Sequence, residues 1–168
     1  MSLLRACRVL ALALIVTACG GEPDNINIGA QAPAFETPVL DGEALRFPAD
    51  TAGRIVVLRF WADWCRFCEP EMRDMEPVYQ ALREHGVEFL AINAGQSPAT
   101  VEAFVRKLEI SYPVLLDEGS AIARSYGVIG LPTTFFIDGE GVVRSKLLGE
   151  TTPEVFRAQL DKLLEARR

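Results

Sequence analysis

Two cysteines separated by two residues, Cys65-Arg66-Phe67-Cys68, stand where an apolar stretch gives way to a helical pattern. Upstream, Ile55 to Trp61 is a continuous apolar run interrupted only by Arg59, which reads as a buried strand. Downstream, Met72, Met75, Val78, Tyr79 and Leu82 fall at spacings of three and four, the period of an amphipathic helix from Arg66 to about Glu84. A strand that feeds a dithiol straight into a helix demands an α/β arrangement and puts the thiols where a helix begins. The unpaired amides and positive dipole end there favour a thiolate, the nucleophile of disulfide exchange. Half a zinc site has the same spacing. The chain offers no second cysteine pair, however, and its one histidine is His85, so a four-ligand structural zinc site is hard to build. Cys65 and Cys68 are therefore read as a redox-active pair, with no metal and no other cofactor.

The first eighteen residues read as a targeting segment rather than as fold. Arg5 and Arg8 supply a positive start, Val9 to Val16 is a short apolar run, and the small residues Thr17 and Ala18 follow. Val16-Thr17-Ala18-Cys19 resembles a bacterial lipobox, whose cysteine becomes a lipid-bearing N-terminus; an ordinary cleaved signal with a chance cysteine is the other reading. Acyl chains on Cys19 would hold the protein on a membrane surface. Cys7 leaves with the signal, so Cys65 and Cys68 remain the only thiols of the folded part, with no structural disulfide framework. Residues 19–31 read as a flexible tether, rich in Gly, Asn and Pro, and residues 32–168 as one domain. The chain carries 17 basic and 23 acidic residues, and loss of Arg5 and Arg8 leaves 15 against 23, near −8. Such an acidic surface argues against nucleic acid and against charge-driven binding to anionic lipid.

Along the domain, Asp41-Gly42 turns an expected hairpin of Phe35–Leu40 and Ala44–Phe47. Pro77 falls inside the helix after the cysteines, where a bend is expected, and His85-Gly86 closes it. His85 is read as a helix-end residue in preference to a ligand or base. Val87–Asn93 is the next strand, Ser97-Pro98 caps a helix to about Leu108, and Pro113–Leu116 is a short strand. A short helix from Ser120 to Tyr126 ends at Gly127. Thr133–Ile137 and Val142–Leu148 form a second hairpin whose Asp138-Gly139-Glu140-Gly141 loop is turn chemistry, too short for a calcium cage. A last helix opens at Thr152-Pro153-Glu154. The order predicts a mixed central sheet with helices on both faces and an N-terminal β-hairpin extension.

Phe60-Trp61-Ala62-Asp63-Trp64-Cys65-Arg66-Phe67-Cys68 and Gly130-Leu131-Pro132-Thr133-Thr134-Phe135 resemble the two signature segments of the thioredoxin superfamily. The leader Ile28 to Phe35, Glu71-Met72 and Val87 to Asn93 make the chain similar to the TlpA/ResA-like group of membrane-tethered thiol–disulfide oxidoreductases, over nearly all of Ala30 to Leu164. The resemblance implies a thioredoxin-like fold with a cis Pro132 against the cysteines. It implies that Cys65, the more exposed, forms a mixed disulfide with the partner and that Cys68 resolves it. Trp64, Arg66, Phe67, Leu131 and Pro132 would make the substrate-binding surface, with Leu131 offering backbone groups to an extended chain; Trp61 would be core. Partners so implied are protein disulfides, including those of cytochrome c biogenesis, and a membrane thiol carrier as electron donor. The protein would act as a monomer facing the periplasm or cell exterior.

Three departures from the family pattern stand out. Arg59 stands where thioredoxins carry a buried acid; a buried cation needs a partner, and Glu71 is the candidate, acting as acid–base group for Cys68 while Arg59 holds it ionised. The other reading sends Arg59 to solvent at the sheet edge. Arg66 and Phe67 fill the space between the cysteines, and a cation beside Cys65 stabilises its thiolate. Gln96 replaces an acid that some members carry near the site. Two further functions compete with the oxidoreductase. A copper chaperone would bind Cu(I) through Cys65 and Cys68. A peroxiredoxin-like peroxidase would need a threonine three residues before the reactive cysteine, where this chain has Ala62.

Overall fold

A computed structural model describes residues 26–167. The signal, Cys19 and the start of the tether lie outside the described residues. The chain runs β1 (Phe35–Thr37), β2 (Leu45–Phe47), β3 (Ile55–Trp61), α1 (Cys68–Leu82), β4 (Val87–Ala94), α2 (Pro98–Val105), β5 (Val114–Asp117), α3 (Ala121–Ser125), β6 (Thr133–Ile137), β7 (Val143–Leu148) and α4 (Pro153–Ala166). Five strands form one sheet in the order β5-β4-β3-β6-β7. β4 lies parallel to β3 and to β5, whereas β6 is antiparallel to β3 and to β7. This is the mixed sheet that the alternation of elements predicts, in the thioredoxin-like arrangement that the resemblance implies.

The central strand explains the layering. Every residue of β3 is buried, so its alternate side chains feed two cores. Ile55, Val57 and Trp61 join Phe89, Met72, Met75, Val101, Phe156 and Leu160, beneath α1, α2 and α4. Val56, Leu58 and Phe60 face the other way, onto Ile122 and Ala123 of α3, Tyr126, Phe135 and Phe47 of the hairpin. Helices therefore cover both faces, and Arg59 points to the α1 side of the sheet.

Several boundaries move. The first hairpin is shorter than expected: its first strand stops at Thr37, and Pro38 to Leu40 instead bonds to β5, where Leu40 N–H donates to Val114 and Leu116 N–H to Pro38. That segment covers the edge of the large sheet, a demand invisible in the local alternation. Residues 26–31, read as tether, belong to the domain. Ile26 is buried, and Gly29 N–H donates to the Val143 carbonyl at 2.8 Å while Val143 N–H donates to Ala30 at 2.9 Å. α1 begins at Cys68 rather than Arg66, passes through Pro77, and gives way at Arg83–His85 to a 3-10 turn closed by Gly86 at φ 78°. α2 ends at Val105, three residues early, its exit continuing as single turns to Leu108.

α3 has a start signal of another kind. Ser120 occupies the cap position at φ 53° and makes no side-chain cap bond. The buried carboxylate of Asp117 replaces it, accepting from Ile122 N–H at 3.1 Å and Ala123 N–H at 2.8 Å. In the β6–β7 turn, Asp138 Oδ1 accepts from the amides of Glu140 and Val142, both at 2.9 Å, which is the expected turn chemistry.

Candidate functional site

β3 delivers the cysteines because it ends at Trp61 and the chain then turns: Cys65 N–H donates to Ala62, and Cys68 N–H to Cys65 at 2.9 Å. Cys65 and Cys68 form a disulfide, with Cα atoms 5.4 Å apart. Cys68 is the first residue of α1, so its sulfur sits at the helix N-terminus; Cys65 lies just before it. Neither sulfur-bearing residue is open to solvent: Cys65 is 6% exposed and Cys68 fully buried, so Cys65 is the accessible member only by a small margin.

The antiparallel register of β3 and β6 pairs Phe60 with Thr133, and β7 pairs Leu148 with Thr133. The loop ahead of β6 is thereby brought to the same end of the sheet as the cysteines. There Leu131–Pro132 is a cis peptide, and Leu131 packs against the core that contains both cysteines. Trp64, Ile129 and Leu148 are exposed at this end, Trp64 by 70%. Arg66 is exposed and lies 4.7 Å over the ring of Phe67. Trp61, by contrast, is fully buried and stacked on Phe104. Ile129 and Leu148 were not legible as site residues, since only the β6–β7 register brings Leu148 here.

Arg59 and Glu71 meet. Arg59 is 1% exposed and Glu71 6% exposed. One guanidinium nitrogen, Nη2, donates to Glu71 Oε2, and Nη1 donates to Thr134 Oγ1 at 3.0 Å. Glu71 Oε1 accepts from Thr151 N–H at 2.6 Å, so each carboxylate oxygen has a donor. Burial pushes the Arg59 pKa down and Glu71 opposes the shift. The alternative, an arginine reaching solvent at the sheet edge, is excluded by its place on the central strand. Tyr112, whose hydroxyl donates to the Met72 carbonyl at 2.7 Å, packs on the same side; burial holds its pKa well above the ordinary value. Thr134, Thr151 and Tyr112 were missed by sequence reading because they approach Arg59 and Glu71 from elements far along the chain.

Gln96, one of the departures from the family pattern, sends its amide to the loop before Cys65. Its Oε1 accepts from Asp63 N–H at 2.8 Å, and its Nε2 donates to Asp63 Oδ1 at 2.6 Å. His85 stands at the opposite end of α1 from the cysteines, its Nδ1 3.1 Å from the Ala81 carbonyl. Among the described residues, no group of three or more histidine, cysteine or acidic side chains is placed to hold a metal ion. A buried cysteine pair at a helix start, beside an exposed tryptophan and a cis-proline loop, can accept two electrons as the disulfide and donate them as the dithiol through disulfide exchange.

A family model described as AhpC/TSA matches residues 28–146. The chain is 35% identical over 164 residues to the thiol-disulfide oxidoreductase ResA of Bacillus cereus, spanning 93% of this chain and 94% of that relative. It is 34% identical to ResA of Geobacillus thermodenitrificans over the same shares of each chain. The crystal structure of a thiol:disulfide interchange protein of the thioredoxin family from Chlorobium tepidum matches with a TM-score of 0.73 at 26% identity, covering 83% of this chain and 99% of that one. StoA from Bacillus subtilis, at 24% identity and a TM-score of 0.67 over 77% of this chain and 97% of its own, shares the fold.

Proposed function

Because the chain belongs to the AhpC/TSA family and is a thiol–disulfide oxidoreductase of the ResA type, we propose that it works as a reductant of protein disulfides. The observation that carries the reading is the Cys65–Cys68 disulfide at the start of α1, with the inner sulfur on the helix terminus and Trp64 exposed beside the outer one. In the reduced protein, the Cys65 thiolate attacks one sulfur of a substrate disulfide. A Cys65–substrate bond forms, and the first substrate thiolate leaves. Cys68 then attacks the Cys65 sulfur, releasing the second substrate thiolate and regenerating the Cys65–Cys68 disulfide. Two electrons pass to substrate, and a membrane dithiol carrier returns them.

In this reading Trp64, Arg66, Phe67, Leu131 and Pro132 receive the substrate chain, and Arg66 favours the Cys65 thiolate. Glu71, one turn along α1 from Cys68, is its acid–base group, and Arg59 holds the carboxylate in place. Substrates of the apocytochrome c class fit a reductant on the outer side of a bacterial membrane. The N-terminal sequence supports export and a lipid anchor on Cys19, and the net negative charge supports a partner other than nucleic acid. The protein acts as a monomer.

The reduction potential of the Cys65/Cys68 pair tests the reading. A value near about −270 mV supports a reductant, whereas one towards about −120 mV would make the protein an oxidant or isomerase and overturn the proposal. The Cys68→Ser variant complements it: it should accumulate a mixed disulfide through Cys65 with a disulfide-bonded peptide, and Cys65→Ser should not.

A further inference from the structure

The turn that carries Trp64 and Cys65 is tied to the neighbouring strand by a single carboxamide. Asn93, fully buried on β4 opposite Trp61 of β3, donates through Nδ2 to Gln96 Oε1 at 2.9 Å. The same Gln96 oxygen accepts from the Asp63 amide at 2.8 Å, and Gln96 Nε2 donates to the Asp63 carboxylate at 2.6 Å. Gly95 sets up this reach. Its φ is 84°, a Cβ there would stand 2.8 Å from Ser120 Oγ, and its N–H donates to Asp117, so the loop enters at a fixed angle. Asp63 is two residues before Cys65.

We propose that Gln96 is a positioning residue for the nucleophile: its amide clamps Asp63 and thereby holds the Trp64–Cys65 turn in the geometry from which Cys65 exchanges disulfides. The chemistry of the clamp requires an amide. Gln96 must present an acceptor to two N–H donors and a donor to a carboxylate at once; a carboxamide does both at any pH, whereas a carboxyl does so only while it holds its proton. A glutamate at this position would face the Asp63 carboxylate across the same short distance, and two carboxylates so close cannot both ionise cheaply. The other charged groups around Asp63 are Arg66 on its own turn and Lys107 beyond α2, which shares a shallow groove with Asp63, Ala99, Thr100, Ala103 and Phe104. Lys107 bonds to neither partner of the clamp through its side chain among the described residues.

The inference rests on the dithiol reading, and its test separates the two. The full chain, reduced, is mixed with cystine across about pH 5 to pH 9, spanning the carboxyl and thiol range. The second-order rate is expressed per Cys65 thiolate, which removes the trivial effect of an added charge on thiolate fraction. In Gln96→Glu the new carboxyl shares a proton with Asp63 at low pH, preserving the clamp, and loses it as pH rises. The variant should match the unaltered chain at the acid end and fall to roughly one-tenth of its rate at the basic end, the scale of one hydrogen bond to a charged group. The double variant Asp63→Asn with Gln96→Glu restores a donor opposite an acceptor with polarity reversed. It carries the same net charge as the parent and should recover to within about twofold at every pH. A Gln96→Glu rate ratio that stays near one throughout, or a double variant as slow as the single, overturns the clamp while leaving the dithiol reading intact. An unaltered chain that does not reduce cystine overturns the dithiol reading and the clamp with it.

Discussion

Replacing Glu71 by glutamine deletes one charge from the core while keeping nearly the same shape. Its cost follows from the donors that Glu71 faces. Oε2 receives Arg59 Nη2 and Oε1 receives Thr151 N–H. A glutamine has one carbonyl oxygen and one NH2, so whichever way it lies, one of those donors meets another donor. Arg59 meanwhile remains charged, since a guanidinium does not give up its proton in a protein. With the amide nitrogen turned towards it, Arg59 would keep a single neutral partner, Thr134 Oγ1, and with the carbonyl turned towards it only neutral partners, its buried Nε being already unpaired among the described residues. Breaking a buried pair from one side costs about 3–5 kcal/mol, a large share of the roughly 5–15 kcal/mol that holds a domain together. With a urea dependence of about 2 kcal/mol per molar, the midpoint of the oxidised chain should fall by about 1.5–2.5 M at unchanged slope. Removing both charges, as Arg59→Met with Glu71→Met, should return most of the loss, because the desolvation cost of both ions disappears together. A Glu71→Gln midpoint within about 0.5 M of the parent, a stability change near 1 kcal/mol, would refute the reasoning. It would mean that Arg59 is compensated by something other than Glu71.

Other outcomes follow from single residues. Asp117→Asn should cost about 1–3 kcal/mol in urea unfolding, because an amide supplies one acceptor where Ile122 and Ala123 each need one; a loss below about 0.5 kcal/mol would contradict its role as the cap of α3. Burial pushes the Asp138 carboxyl up, but the Val142 amide, Arg144 and the Glu140 amide outweigh it, and the net pKa lies below the ordinary value. Its stabilisation is therefore complete above the unfolded pKa and is lost as pH falls through the folded one. Unfolding from about pH 5 down to about pH 2 should show a shallower acid loss in Asp138→Asn, and a parallel pair of curves would count against it. Trp64 is exposed and Trp61 buried, so acrylamide should quench an outer fluorescence component that Trp64→Phe abolishes; quenching that survives the substitution would place Trp61 in solvent.

How much of this molecule can be read from its chain depends on how local the interactions are. The strand before the cysteines, the helix after them, the cap at Ser97 and the turn at Asp138 are local, set by hydrophobic period, a cap side chain or a short hydrogen-bonded loop. The strand, the cap and the turn appear where the residues place them, and the helix does so apart from a start two residues later, at Cys68. The dithiol was legible for the same reason, because both sulfurs lie within one turn of chain and need only a helix start. Glu71 as the partner of Arg59 was within reach because a buried cation demands an anion and α1 offers one on the face of Cys68. Segment ends were less legible. Pro38 to Leu40 alternates as a hairpin strand would, yet the open edge of β5 draws it away, and Ile26 leaves a polar stretch to be buried with Phe35 and Tyr126 of the second core.

What this sequence determined alone was its chemistry and its class: two thiols where a strand meets a helix, no competing cysteines among the described residues, and strands and helices alternating into a mixed sheet. What only the tertiary structure decided was which distant groups surround those thiols. Thr134 and Thr151 reach the Arg59–Glu71 pair from β6 and from the approach to α4, Gln96 reaches Asp63 from the end of β4, and Leu148 reaches the site through the β6–β7 register. The reason is physical. A hydrogen bond between residues dozens of positions apart leaves no periodicity in the chain, and becomes available only after the hydrophobic collapse of two cores has placed the strand ends side by side.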